Sequence, residues 1–334
     1  MAEPLKLATR ADRGNTESVE LIGRSAIVSR VKEFVRRAAS LDAFVLITGE
    51  AGCAVDSVAR ELHARSGAAS GPFVHVECGS GDPGRLERAL FGLPPDGVVS
   101  DLETAASDSR IVGARGGVLF LQDVVDLPAS VQARLARVTR DGQVRVDGRI
   151  VETSVRFIAS APVSVDAEVE GHRFRADLHR RLSAIRIDLP PLRDRLEDVP
   201  AVATRLLADL CAARGLSPRT FTHASLALIG ALTWPGNIKE LRDALDRVLV
   251  ESRAEAVQVE DLLPALRLQR TSAAFAPAGS LREARTRFER EYIASVLQHH
   301  DWHMADAAQT LGIQRPNLYR KARQLGIPLT RAVE

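Results

Sequence analysis

Residues 46–60 read LITGEAGCAVDSVAR, an apolar run, a glycine-bearing loop and the start of a helical pattern. A loop of this shape can cradle phosphate. The motif that does so, G-x-x-x-x-G-K-[ST], uses backbone N–H groups to hold the phosphates and a lysine to reach the terminal ones. Here Gly49 and Gly52 stand in place, but the late glycine is Ala54, the lysine position is Val55 and Asp56 follows. A charge-assisted hydrogen bond is worth about 1.5–3 kcal/mol, so loss of the lysine weakens phosphate binding about ten- to a hundred-fold. Asp56 adds a negative charge near the helix N-terminus, where an anion would sit.

A second chemistry lies at the other end. MADAAQTLGIQRPNLYRKARQLGI reads as helix, tight turn at Gly312-Ile313, helix. Ala307, Ala308, Leu311, Leu318 and Leu325 supply small and apolar contacts. Pro316 falls in the first turn of the second helix, where a missing N–H costs nothing. Arg315, Asn317, Tyr319, Arg320, Lys321 and Arg323 are expected on the other side, and no Asp or Glu occurs from Leu311 to Val333. In a helix-turn-helix the start of the second helix reaches base edges. Gln314, Arg315 and Asn317 are therefore expected to read bases, and Arg320, Lys321 and Arg323 to contact phosphates of double-stranded DNA. The net charge is only +2, so the basic character is local.

Other reactive residues are sparse. The three cysteines, Cys53, Cys78 and Cys211, lack C-x-x-C spacing, which argues for a reducing cytosol and against a disulfide framework or zinc site. His299, His300 and His303 are read as a helix-entry segment rather than metal ligands.

The elements that must position these residues follow from the pattern. Residues 1–19 are polar and aperiodic, a loose tail too short for a sensory domain. From about 20 to 190, strand-like and helix-like runs alternate (AFVLITGE, VDSVARELHARS, PFVHVEC, GGVLFLQDV, VRFIASAP, AIRIDLP), which means an α/β unit with a mostly parallel sheet. From 191 to 265 apolar residues recur at three and four, so a helical unit is expected throughout. Residues 266–280 have linker chemistry, and 281–334 form a small helical domain. No apolar run is long enough for a signal or a membrane span, and a cytoplasmic, nucleoid-associated protein is expected.

Residues 285–327 resemble the Fis-type helix-turn-helix that ends the sigma-54-dependent activator (NtrC-like) family. The resemblance continues upstream over about 21–251: LIGRSAIVSRVKEFVRRAA, RALFG, GGVLFLQDVVDLP, FRADLHRRL, DLPPLRDRLEDVP and WPGNIKELRDALDR match that family's AAA+ segments in order. It implies a five-stranded parallel sheet with an α-helical lid, followed by a small all-α DNA-binding domain. It also implies a homodimer through the long helix before the helix-turn-helix, palindromic half-sites about 10 bp apart, and a higher oligomer through the AAA+ unit.

The same resemblance assigns roles, and most positions depart from them. The Walker B Asp-Glu pair is Gln122-Asp123. Sensor I is Ala161-Pro162, the asparagine that orients the catalytic Glu is Glu77, and the sensor II arginine is Lys239. Only the finger arginines, Arg175 and Arg181, stand as in the family. The GAFTGA loop is replaced by LPPDGVVSD, with Pro94, Pro95, Asp96 and Asp101. The expectation is a DNA-binding regulator with no catalytic residue, no required cofactor, weak ATP or ADP binding at most, and no remodelling of sigma-54 polymerase. Three alternatives stay open: a working activator ATPase with atypical motifs, a subunit that modulates an intact AAA+ activator, and a sensor of a nucleotide second messenger. RNA polymerase or a paralogous activator is the expected protein partner.

Overall fold

The computed structural model describes residues 21–79, 82–92 and 102–273, and further along 293, 297, 302, 304–310, 315–325 and 327. It divides into one unit up to Leu266 and a second from Arg267.

The first unit is built on strands β1 (Val45–Thr48), β2 (Phe73–Glu77), β3 (Val118–Gln122), β6 (Arg156–Ala161) and β7 (Ile185–Asp188), all parallel, in the order β2-β3-β6-β1-β7. The interior strand β1 is buried along its length, as a strand covered on both faces must be. One face carries α1 (Ala26–Ala39) and α2 (Val55–Ala64) over Val45, Ile47, Phe120 and Ile158. The other carries α3 (Pro83–Phe91), the short α4 (Arg110–Gly113), α5 (Ala129–Asp141), α6 (Val165–Glu170) and α7 (Ala176–Leu182) over Leu46, Leu119, Leu121 and Phe157.

Local chemistry sets the helix limits. Ser25 caps α1 by accepting from the Val28 amide at 3.3 Å, and the buried Arg156 donates to the carbonyls of Ala38, Ala39 and Ala43 at its far end. Asp82 caps α3 ahead of Pro83, and α5 stops at Gly142 in the left-handed region. Between α5 and β6 lies an antiparallel hairpin, β4 (Gln143–Val146) and β5 (Arg149–Glu152), that the sequence reading did not anticipate. Its turn is Asp147-Gly148, both at positive φ, the dipeptide that two-residue hairpins favour.

The lid comprises α8 (Val199–Ala213), α9 (His223–Ala231), α10 (Asn237–Glu251) and α11 (Val259–Ala273). It has its own core around Val202, Leu207, Trp234, Leu241 and Val248. It is not helical throughout, because β8 (Thr220–Phe221) pairs in parallel with β9 (Ala256–Val257). The linker expected from 266 also starts later. The run LRLQRTSA after Pro264 holds no glycine or further proline and continues α11 to Ala273.

In the second unit, α12 (Met304–Thr310) and α13 (Arg315–Gln324) share a core of Ile293, Leu297, Met304, Ala307, Ala308, Leu318 and Ala322. The tail 1–19, the loop with Pro94, Pro95, Asp96 and Asp101, the turn at 312–313 and residues His299, His300, His303 and Gln314 lie outside the described residues. No helix among the described residues is long and apolar enough to cross a membrane.

Candidate functional site

The loop after β1 keeps the shape that its glycines suggest. Gly49 N donates to Ala161 O at 3.2 Å, which ties the loop to the end of β6. Gly52 has φ +81°, and a Cβ there would lie 2.3 Å from Gly236 O, so glycine is required twice over. Ala54 sits at φ 56°, ψ 49°, in the left-handed region, as the N-cap of α2. That is the conformation glycine adopts freely. An alanine holds it at a cost of about 1–2 kcal/mol, which the rest of the loop must offset.

What holds the loop is the lid. Lys239 N donates to Gly52 O at 3.1 Å. Asn237, buried and at φ 56°, accepts from Leu192 N at 2.8 Å and donates to Ala51 O at 3.1 Å and Glu50 Oε2 at 3.3 Å. Arg193 forks onto Glu50 at 2.6 and 2.7 Å. The Arg193 and Asn237 hydrogen bonds hold the Glu50 carboxyl at about 2. The Lys239 ammonium itself is directed to Asp243 at 3.0 Å. None of Glu50, Arg193 and Asn237 was singled out from the sequence. They lie in GEAG, PPLRDR and WPGN, where only the glycines and the lysine drew a chemical role.

At the end of β3, Gln122 pairs in register with Glu77 of β2. Its Oε1 lies 2.9 Å from His75 Nε2, which therefore carries the proton. Asp123 is at φ 56°, and its amide donates to Ser160 Oγ at 2.9 Å. Burial pushes the Asp123 carboxyl up, and the charges of Asp126 and Glu77 add to that. The one carboxylate of this pair thus sits among other carboxylates, beside an amide where a second acid would bind a cation. Among the described residues no cluster of His, Cys, Asp or Glu has the composition of a metal site.

Arg175 and Arg181 occupy the two ends of α7. Arg175 is exposed, its guanidinium forked onto Asp177 at 3.0 and 2.8 Å. Its amide donates to Gln132 Oε1 at 2.9 Å, and the buried Gln132 also donates to the carbonyls of Leu127 and Arg173. Arg181 is half-buried. Helix α7 packs on the sheet face opposite α2. The structure therefore brings Gly49, Gly52, Val55, Asp56 and Lys239 to one loop–lid junction and Gln122 and Asp123 to one strand end, with the two arginines on the other layer.

The basic helix is α13. Leu318 and Ala322 are buried, while Arg315, Asn317, Arg320 and Arg323 are exposed and Lys321 is half-buried. Tyr319 departs from the expected exposed face: its ring packs partly against the core, with the Arg315 guanidinium 5.8 Å from its centroid. Arg320 donates to Asn317 Oδ1 at 3.1 Å, so a residue expected to meet phosphate also orients one expected to meet a base.

A parallel sheet with a phosphate-type loop after β1, a helical lid bonded to that loop, and a separate unit ending in a basic helix define a AAA+ module joined to a helix-turn-helix. The comparisons agree. The Sigma-54 interaction domain matches residues 21–188, the AAA+ ATPase lid domain 193–278, and the Bacterial regulatory protein, Fis family, 284–325. The nitrogen assimilation regulatory protein NtrX of Azorhizobium caulinodans is 31% identical over 93% of this chain and 70% of its own. The DNA-binding transcriptional regulator NtrC of Escherichia coli is 32% identical over 94% and 71%. Crystal structures of NtrX from Brucella abortus, in complex with ADP and with ATP, superpose with TM-scores of 0.64 and 0.63 at 30% identity. They cover 95% and 92% of this chain and 71% and 69% of those chains. The chain belongs to the family of sigma-54-dependent, NtrC-like transcription activators.

Proposed function

We propose that this protein is a sequence-specific DNA-binding transcription regulator whose AAA+ unit assembles and signals without hydrolysing ATP. The observation that carries the reading is the paired loss at the two charge centres of phosphoryl transfer. Val55 replaces the loop lysine, and Gln122, bonded to His75, replaces the acid of β3. Glu77, Ala161-Pro162 and Lys239 alter three further parts. Phosphoryl transfer is nearly all positioning and charge stabilisation, so losses in separate parts compound. LPPDGVVSD in place of the sigma-54 contact motif supports a regulator that does not remodel that polymerase.

DNA recognition rests on the exposed Arg315, Asn317, Arg320 and Arg323 of α13. The regulator would act in the cytoplasm on palindromic sites as a homodimer, with RNA polymerase or a paralogous activator as protein partner. ADP and ATP in the Brucella abortus NtrX structures support retained, weak nucleotide binding in the loop–lid junction. A second reading, a subunit that tunes an intact AAA+ relative, is favoured by Arg175, which stays exposed and fixed by the buried Gln132.

The test is a genome-wide footprint paired with co-purification. A discrete set of palindromic sites bound by this chain alone supports the first reading. Recovery only together with an intact AAA+ paralogue, without a footprint of its own, selects the second.

A further inference from the structure

Helix α1 carries an apolar stripe that its own packing does not use. Its inward face is complete, with Val28, Val31, Val35, Ala38 and Ala39 buried and the last four in the core over the sheet. One such stripe is what a surface helix needs. Yet Ile27, Phe34 and Leu41 are 37%, 44% and 54% exposed. Leu41 lies two residues past the end of α1. Ser40 between them keeps right-handed helical angles, and Leu41 N donates to Ala38 O at 3.3 Å, so Leu41 continues the spiral. Residues seven apart drift by only about 20° around a helix, so the three align along about 21 Å of one flank. The other six large apolar side chains exposed among the described residues fall singly on six different segments.

The stripe is interleaved with charge. Arg30 and Arg37 follow Ile27 and Phe34 by three residues and precede Phe34 and Leu41 by four. Ile27-Arg30-Phe34-Arg37-Leu41 thus repeats at three and four, the spacing by which one helix meets another along a seam, with apolar side chain and arginine in alternation. Both arginines are exposed. Bases in a last turn suit a helix C-terminus, which accounts for Arg36 and Arg37. It does not account for Arg30 at mid-helix, which pairs with no carboxylate among the described residues. Glu33, the only acid on α1, is shared by Arg37 at 3.0 Å and Arg36 at 3.5 Å. With Lys32 the helix carries four bases against that one acid.

We propose that this outer flank of α1 docks an acidic amphipathic helix of a partner protein. The partner's apolar side chains cover Ile27, Phe34 and Leu41, and its carboxylates meet Arg30 and Arg37. Charge selects this occupant. A second copy of α1 in parallel register would set arginine against arginine. In antiparallel register it would leave the arginines among apolar side chains without a carboxylate. A lipid surface takes an apolar face with its bases on the opposite, polar face, whereas here an arginine separates each apolar pair. Duplex DNA would engage the arginines through phosphate and leave the apolar stripe uncovered. The inference holds whether or not the AAA+ unit hydrolyses ATP.

The experiment is fluorescence anisotropy of the full chain with two labelled helical peptides of about 20 residues. Both carry leucines at seven-residue spacing. One has glutamate, the other lysine, at the positions that face the arginines. The glutamate peptide should bind, more weakly as salt rises, and the lysine peptide should not. Phe34→Ser should weaken the glutamate peptide about ten-fold or more. Arg30→Glu should weaken it by a similar factor and admit the lysine peptide. That variant changes an exposed side chain and serves if Phe34→Ser does not fold. In cells, a photo-crosslinking residue in place of Leu41 should capture a segment with the acidic pattern, and Arg30→Glu should abolish the capture. Equal binding of both peptides, binding of neither, or preference for anionic vesicles overturns the inference. So does self-association of the chain that Phe34→Ser abolishes, or capture of no segment or of one without acids. Each of these leaves the DNA-binding regulator standing.

Discussion

The loop 49–56 and the helix α13 are both donor-rich, and they keep different things. The loop keeps geometry: Gly52 lies against Gly236, Ala54 holds a glycine conformation, and Asn237 stitches it to the lid. It has lost the side chain that performs chemistry. Helix α13 keeps chemistry: its arginines are exposed, and among the described residues Leu318, Ala322 and part of Tyr319 are spent on packing. Shape enforced by buried contacts does not depend on the lysine, because removing it costs fold stability. Exposed side chains carry no such protection, and their presence on α13 is what the proposed base reading rests on.

The comparison can be broken most sharply at Gly52. Gly52→Ala drives a methyl group into the Gly236 carbonyl at positive φ and should cost about 2–4 kcal/mol in urea unfolding of the AAA+ unit. The affinity of α13 for DNA should be unchanged. Coupled losses would show that the two regions are not separable.

Returning the lysine tests the loop from the opposite side. Val55→Lys should tighten nucleotide binding about ten- to a hundred-fold by calorimetry. It should leave ATP turnover at background, because Gln122, Glu77 and Ala161-Pro162 are untouched. Turnover on this single change would mean that the other positions are tolerated.

On the helix, Arg315→Ala and Asn317→Ala should each cost about 1–3 kcal/mol of discrimination between target and scrambled DNA in competition gel shifts. Lys321→Ala or Arg323→Ala should weaken all sequences evenly and reduce the salt slope by about 0.9 for each phosphate no longer neutralised. Arg320→Ala should do both, because it also orients Asn317.

The smallest effect concerns acid. Arg193 and Asn237 depress the Glu50 carboxyl to about 2 from 4.5. A depressed carboxylate contributes stability above its unfolded pKa, and that contribution is lost as pH falls from about 4.5 through about 2. Glu50→Gln should flatten the pH dependence of thermal unfolding in that window and leave it unchanged above.

Much of this was legible in the sequence because the patterns are long and ordered. Alternating runs announced the parallel sheet, and the missing lysine at Val55 needed no coordinates. The β4–β5 hairpin was readable at Asp147-Gly148 and was passed over, because it sits between two stronger signals. The helical continuation past 266 was obscured by small polar residues that tolerate either state. The loop–lid contacts of Glu50 with Arg193 and Asn237 were invisible for another reason: each joins segments more than a hundred residues apart. No local spacing reports such a pairing. Tyr319 was misplaced because a basic neighbourhood suggested a polar face, while its ring follows the helical period of Leu318 and Ala322.

The central claim, a AAA+ unit kept for its shape and not for its reaction, is tested most directly by phosphate release from Mg²⁺-ATP by the purified full chain on its own target DNA. The account predicts release no faster than in a sample without protein. Steady Mg²⁺-dependent release that disappears in Asp123→Asn would contradict it.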